Sequence, residues 1–178
     1  NVQLLNMKLN DASIVALCHV GALAGILVEN AEIRNVEVTG DVICSEEGSV
    51  NIGGVVGTFT GNQMDLYTTS FDGNVVGMTL TGGVIGQHMS AFSRIVNRYS
   101  KGTVSWSGQH ANIIGGFAGG LGQPGLSTGH LIIEDSYSES VVSVNDVSNG
   151  GGYVGTIYAS ILEMVNTSSS GDFQINGD

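Results

Sequence analysis

A five-residue motif returns at near-regular intervals along this chain and limits its fold more than any other feature. It reads Gly82-Gly83-Val84-Ile85-Gly86 in its cleanest form. It recurs as Gly21-Ala22-Leu23-Ala24-Gly25, Gly53-Gly54-Val55-Val56-Gly57, Gly115-Gly116-Phe117-Ala118-Gly119 and Gly151-Gly152-Tyr153-Val154-Gly155. The closing glycines are 32, 29, 33 and 36 residues apart. A period of that size is the mark of a solenoid or stacked array, in which each unit buries its apolar face only against its neighbours.

A second landmark follows each motif in the same order: an apolar residue, an Asn-like residue, a glycine, then an apolar residue. It is Ile33, Asn35, Gly40, Val42 in the first unit and Leu66, Thr68, Gly73, Val75 in the second. The third, fourth and fifth give Ile95, Asn97, Gly102, Val104; Ile133, Asp135, Ser140, Val142; and Met164, Asn166, Gly171, Phe173. Local periodicity is two, as in Ile33-Arg34-Asn35-Val36-Glu37-Val38, and Val, Ile, Thr, Tyr and Phe are frequent, which predicts strands. Gln87 to Tyr99 would also suit a helical face, but its alignment with neighbouring units favours strand.

These features predict an all-β chain, a parallel β-solenoid of about five to six coils with 29–36 residues per coil. Residues 1–178 read as one repeat domain, opening on a half coil at 1–12 in which Leu4, Asn6 and Asp11 fit the Ile33, Asn35 and Gly40 slots. Each motif glycine pair is expected to make a tight corner with positive φ, or to give room for close stacking. The Asn-like residues Asn35, Thr68, Asn97, Asp135 and Asn166 are expected to stack as a polar ladder at a turn. The segment Gly120 to His130, with the single proline Pro124, reads as a protruding loop. Neither end reads as a cap, which predicts end-to-end self-association or flanking repeats of a longer chain.

Gly82-Gly83-Val84-Ile85-Gly86 followed by Ile95-Val96-Asn97-Arg98-Tyr99-Ser100-Lys101-Gly102-Thr103-Val104 resembles the GLUG repeat, with its Gly-Gly-Leu-Val-Gly opening and Ile-x-Asn-Ser-Tyr-x-x-Gly-x-Val ending. Ile133-Glu134-Asp135-Ser136-Tyr137 matches the second half as well. Units one and two depart from it, with Glu37 and Ser70 in place of the Tyr. The resemblance implies a secreted or surface-anchored, adhesin-like protein or a region flanking a secreted peptidase. It implies an extracellular or cell-surface setting and no catalytic residue.

Composition narrows the partners. Five Lys and Arg against sixteen Asp and Glu give a net charge of −11, a field that repels nucleic acid and anionic membranes. No apolar run approaches the roughly 20 residues of a membrane-spanning helix, so membrane insertion is not expected. Cys18 and Cys44 flank the first motif; they either pair across one coil or remain two buried thiols.

Signals for chemistry are sparse. His19, His88, His110 and His130 have no metal-ligand spacing and read as surface or turn histidines. Gly115 to Gly120 lacks the Lys-Ser/Thr ending of a phosphate loop. The acid pairs Asp65 with Asp72, and Glu134 with Asp135 and Glu139, fall on different phases of the repeat, so a glycosidase-like convergence is not expected. No cofactor is expected; calcium stays open, with no ligands assignable. Asn166-Thr167-Ser168 is a glycosylation sequon whose Asn sits in the ladder, which argues for burial rather than a glycan. The expected function is a non-catalytic extracellular structural or adhesive repeat, a surface stalk or head-to-tail filament subunit. The alternatives are the repeat scaffold of a secreted enzyme, or a module binding cell-surface glycans through Trp106, Tyr67 or Tyr158.

Overall fold

Parallel strands wind into a β-solenoid of about five turns in the computed structural model, which describes residues 1–17, 19–45, 51–106, 113–122, 128–144 and 149–175. Among the described residues every regular element is a strand, and Gln87 to Tyr99 lies within the strand Ile85–Trp106. The main sheet stacks Val2–Ala16, Ala31–Cys44, Val56–Gly77, Ile85–Trp106, Thr128–Glu134 and Ala159–Val165 in chain order. A second sheet stacks the short strands Asn51–Gly53, Leu80–Gly82, Ile113–Gly115 and Asn149–Gly151, which carry the opening of the glycine motif.

Equivalent residues of successive units pair directly. Ile33, Leu66, Ile95, Ile133 and Met164 form one column, and Val42, Val75, Val104, Val142 and Phe173 another. Gly53, Gly82, Gly115 and Gly151 pair in the second sheet. The columns build the core: Ile33, Leu66, Ile95 and Ile133 are fully buried, as are Val55, Val56, Val84, Ile85, Phe117 and Ala118 between the motif glycines. Each buried Val, Leu, Ile or Phe side chain contributes on the order of 2 kcal/mol on leaving water.

The division of labour between glycine and asparagine differs from expectation. Among the described residues the positive-φ glycines are Gly40, Gly102 and Gly122, none of them in the motif. The left-handed bends fall instead to Asn6, Asn35, Thr68, Asn97, Asp135 and Asn166, at φ between 48° and 56°. Asn and Asp tolerate that region better than most residues. The motif glycines serve close approach: a Cβ on Gly53 would collide with backbone of Val56, Val84 and Gly86.

Two boundaries also move. The opening half coil continues to Ala16 instead of closing near residue 12. The register slips between Leu9 and Ala12, so Ala12 faces Gly40 and Asn10 and Asp11 together lie opposite Thr39, with Asp11 at φ 52°. The segment Gly120 to His130 is not loop throughout: Ala118–Leu121 and Thr128–Glu134 are strands, and residues 123–127 lie outside the described residues.

Candidate functional site

The left-handed column bends every coil at the same place, and the bend makes a concave groove along the stack. The groove has a volume of about 600 Å³ and runs over four coils, from Asn6 and Lys8 through Asn35 and Glu37, Thr68 and Ser70, to Asn97 and Tyr99. Asn35 Nδ2 donates to Asn6 Oδ1 at 2.9 Å, and Asn166 Nδ2 donates to Asp135 Oδ1 at 3.0 Å further along the column. Lys8 and Glu37 form an exposed ion pair at 2.9 Å on the groove wall. Beyond Tyr99 the row continues to Tyr137, whose ring centroid lies 4.8 Å from that of Tyr99. Amides, hydroxyls and an aromatic ring at one-coil steps suit a polar ligand lying along the stack.

The next face outward is ionic. Glu32 accepts from Gln3 Nε2 at 2.9 Å and from Arg34 at 2.6 and 3.0 Å, and these hydrogen bonds hold its carboxyl below the usual range. Arg34 also lies over the Tyr67 ring, 4.8 Å from its centroid. Arg94 Nη2 pairs with Glu134 at 2.7 Å. Asp135 accepts from Asn166, while Asp65 and Asp72 face Arg94 and Lys101 in the adjoining strand. Glu32 and Asp65 share one row, while Asp72 and Glu134 lie on two others.

The ladder residues Asn35, Thr68, Asn97, Asp135 and Asn166 lie at one corner, on the surface. Asn166 is exposed, which corrects the expectation of burial; its amide nitrogen is engaged by Asp135. Cys44 is buried; Cys18, and with it the proposed pairing, lies outside the described residues. Trp106 is partly buried and donates to the Met78 carbonyl at 3.2 Å, Tyr67 lies under Arg34, and Tyr158 is exposed near Leu121. They belong to three different parts of the coil and make no shared platform. The aligned aromatic pair is Tyr99 with Tyr137, on the row where the motif ending carries its tyrosine.

The histidines divide. His130 Nε2 pairs with Glu163 at 2.5 Å on the surface, and His19 Nδ1 meets Thr58 Oγ1 at 2.7 Å. His110 lies outside the described residues. His88 is neither a surface nor a turn residue. It is 2% exposed, in a column with Leu27, Phe59 and Leu121, and stacks on Phe59 at 5.6 Å. Its Nε2 is bonded to Ser93 Oγ at 2.6 Å and Ser90 Oγ at 2.9 Å, and those two hydroxyls bond each other. Burial pushes its pKa down to about 4. The cluster resembles a Ser–His pair in composition, but His88 itself is a buried core histidine whose Nε2 is satisfied by the two hydroxyls. Aligning the units would have found it, since its counterparts are all apolar. Among the described residues no three His, Cys, Asp or Glu gather as a metal site.

No protein-family model matches the chain, so the GLUG repeat stands as a likeness of motif residues, and no solved structure matches it either. The chain is similar to part of an immunoglobulin A1 protease of Streptococcus sanguinis. The two are 31% identical over 156 residues, which cover 84% of this chain and 8% of the protease. The chain thus spans a small fraction of the curated relative it matches.

Proposed function

We propose that this chain is a non-catalytic extracellular repeat with a structural or adhesive role, a surface stalk segment or a filament subunit stacking head to tail. The observation that carries this reading is the open core of the last coil. Met164 ends the column of Ile33, Leu66, Ile95 and Ile133, yet it is 40% exposed where they are fully buried. Ala159–Val165, which carries it, is the outer strand of the main sheet. Val2–Ala16 is the outer strand at the opposite edge. An unpaired strand edge with apolar side chains is a template for another strand. The complementary occupant is a further coil of the same kind, from another copy or from repeats of a longer chain. The likeness to a segment of a much longer protease supports the second source, and the GLUG resemblance supports the extracellular setting.

Sedimentation and electron microscopy of the isolated chain test this. Concentration-dependent rods that Met164→Lys abolishes are expected for end-to-end pairing. A monomer at high concentration, with Ala159–Val165 amides protected from exchange, would contradict it.

The groove favours a second reading, a scaffold or module that holds an extended glycan along the Asn and Tyr rows. Hydroxyl-rich sugars suit amide donors and aromatic faces. A glycan array gives the discriminating result: binding lost on Tyr99→Ala while assembly is unchanged.

A further inference from the structure

The interior of the stack holds one guanidinium. Arg98 follows the left-handed residue Asn97 and points into the coil, in the slot that Val36 and Thr69 fill in preceding coils and Ser136 in the next. Its side chain is fully buried. Nη1 donates to the Asn97 carbonyl at 3.2 Å, while Nε and Nη2, equally buried, meet no partner among the described residues. Burial lowers its pKa to about 8, and the ionisable groups acting on it are Tyr67 and Tyr153, not a carboxylate. The Tyr153 hydroxyl is also buried and faces Ser136 short of hydrogen-bond geometry. Burial raises the Tyr153 pKa, so the phenol stays neutral and offers a donor instead of a counter-charge. Ser136 Oγ is engaged with the Glu134 carbonyl at 2.7 Å, and Ser100 Oγ with the Gly116 carbonyl at 2.6 Å.

A buried charge is stable only when paired and hydrogen-bonded. We propose that the interior beside Arg98 binds a small monovalent anion of the halide class, held by Nε and Nη2 of Arg98 with the Tyr153 hydroxyl as a further donor. A halide accepts from N–H and O–H groups alike and supplies the missing negative charge. A water molecule would accept a bond but leave the charge uncompensated.

Thermal unfolding at constant ionic strength, with chloride or bromide replacing gluconate, tests the site. The midpoint of the natural chain is expected to rise on the order of 5 °C over a hundred-fold increase in halide. Arg98→Ser, which copies the Ser136 slot, and Arg98→Met are both expected to fold and to lose that dependence. Crystals grown in bromide provide a check on the natural chain itself, with an anomalous peak expected within hydrogen-bond distance of Arg98. A halide-independent midpoint, an equal slope in the Arg98 variants, or water alone at Nε and Nη2 would overturn the proposal.

Discussion

Asn35 reaches Asn6, its counterpart one coil earlier, through a 2.9 Å amide hydrogen bond, and both stand in the left-handed region at φ 53° and 55°. Backbone shape and side-chain pairing are therefore set by the same residue. Asn tolerates the bend, and the bend aims its amide along the stack. Asn35→Val is expected to cost about 2 kcal/mol or more, from left-handed strain and the lost bond. Asn35→Gly is expected to cost about 1 kcal/mol, because it keeps the bend and loses only the bond. Urea unfolding of the three chains gives the ranking; equal losses for Val and Gly would show that the bend is not the constraint.

Gly83 tests a different demand. Its φ is ordinary, but a Cβ there would run into Ser100 Oγ and the Gly116 carbonyl of the next coil. Gly83→Ala is expected to lose about 3 kcal/mol, since the backbone of the adjoining coil cannot yield as a flexible side chain would. A denaturation midpoint within error of the natural chain would show that the coils are not in this register.

Stacking explains why so much of this fold was legible in the sequence. A parallel column places Ile33, Leu66, Ile95 and Ile133 in one environment, and the same environment asks for the same residue type. The glycine motif and the Asn-like slot are visible for that reason. Arg98 was hidden because the left-handed bend at Asn97 shifts the alternation by one: Ile95 points inward, Val96 outward, and Arg98 inward again. A strict period of two assigns Arg98 to the surface. The groove was hidden too, since a concave surface depends on the angle of the bend and not on residue type.

His88 links the core to pH. In the unfolded chain it takes up a proton below about pH 6.5, whereas in the folded chain burial delays uptake to about pH 4. The unfolded state therefore binds more protons in this window, and stability falls as pH drops from about 6.5 towards 4. The loss attributable to this residue is about 3 kcal/mol. His88→Leu, which matches Leu27 and Leu121 in its column, is expected to remove that part of the slope. Urea unfolding between pH 7 and pH 4 compares the two, and identical slopes would contradict the assignment.

Parallel stacking of one unit per coil underlies the groove, the buried guanidinium and the open edge alike. The most direct test is a spin-label distance series between outward positions of one row, with labels on unnatural residues so that the cysteines stay untouched. Gln3, Glu32, Asp65, Arg94, Ile132 and Glu163 form such a row. At about 4.8 Å per step, Gln3 with Ile132 should read about 19 Å and Gln3 with Glu163 about 24 Å. A separation that grows by one strand spacing for each added coil is the expected result; a pair whose distance fails to grow, or spreads over tens of ångströms, would contradict the stack.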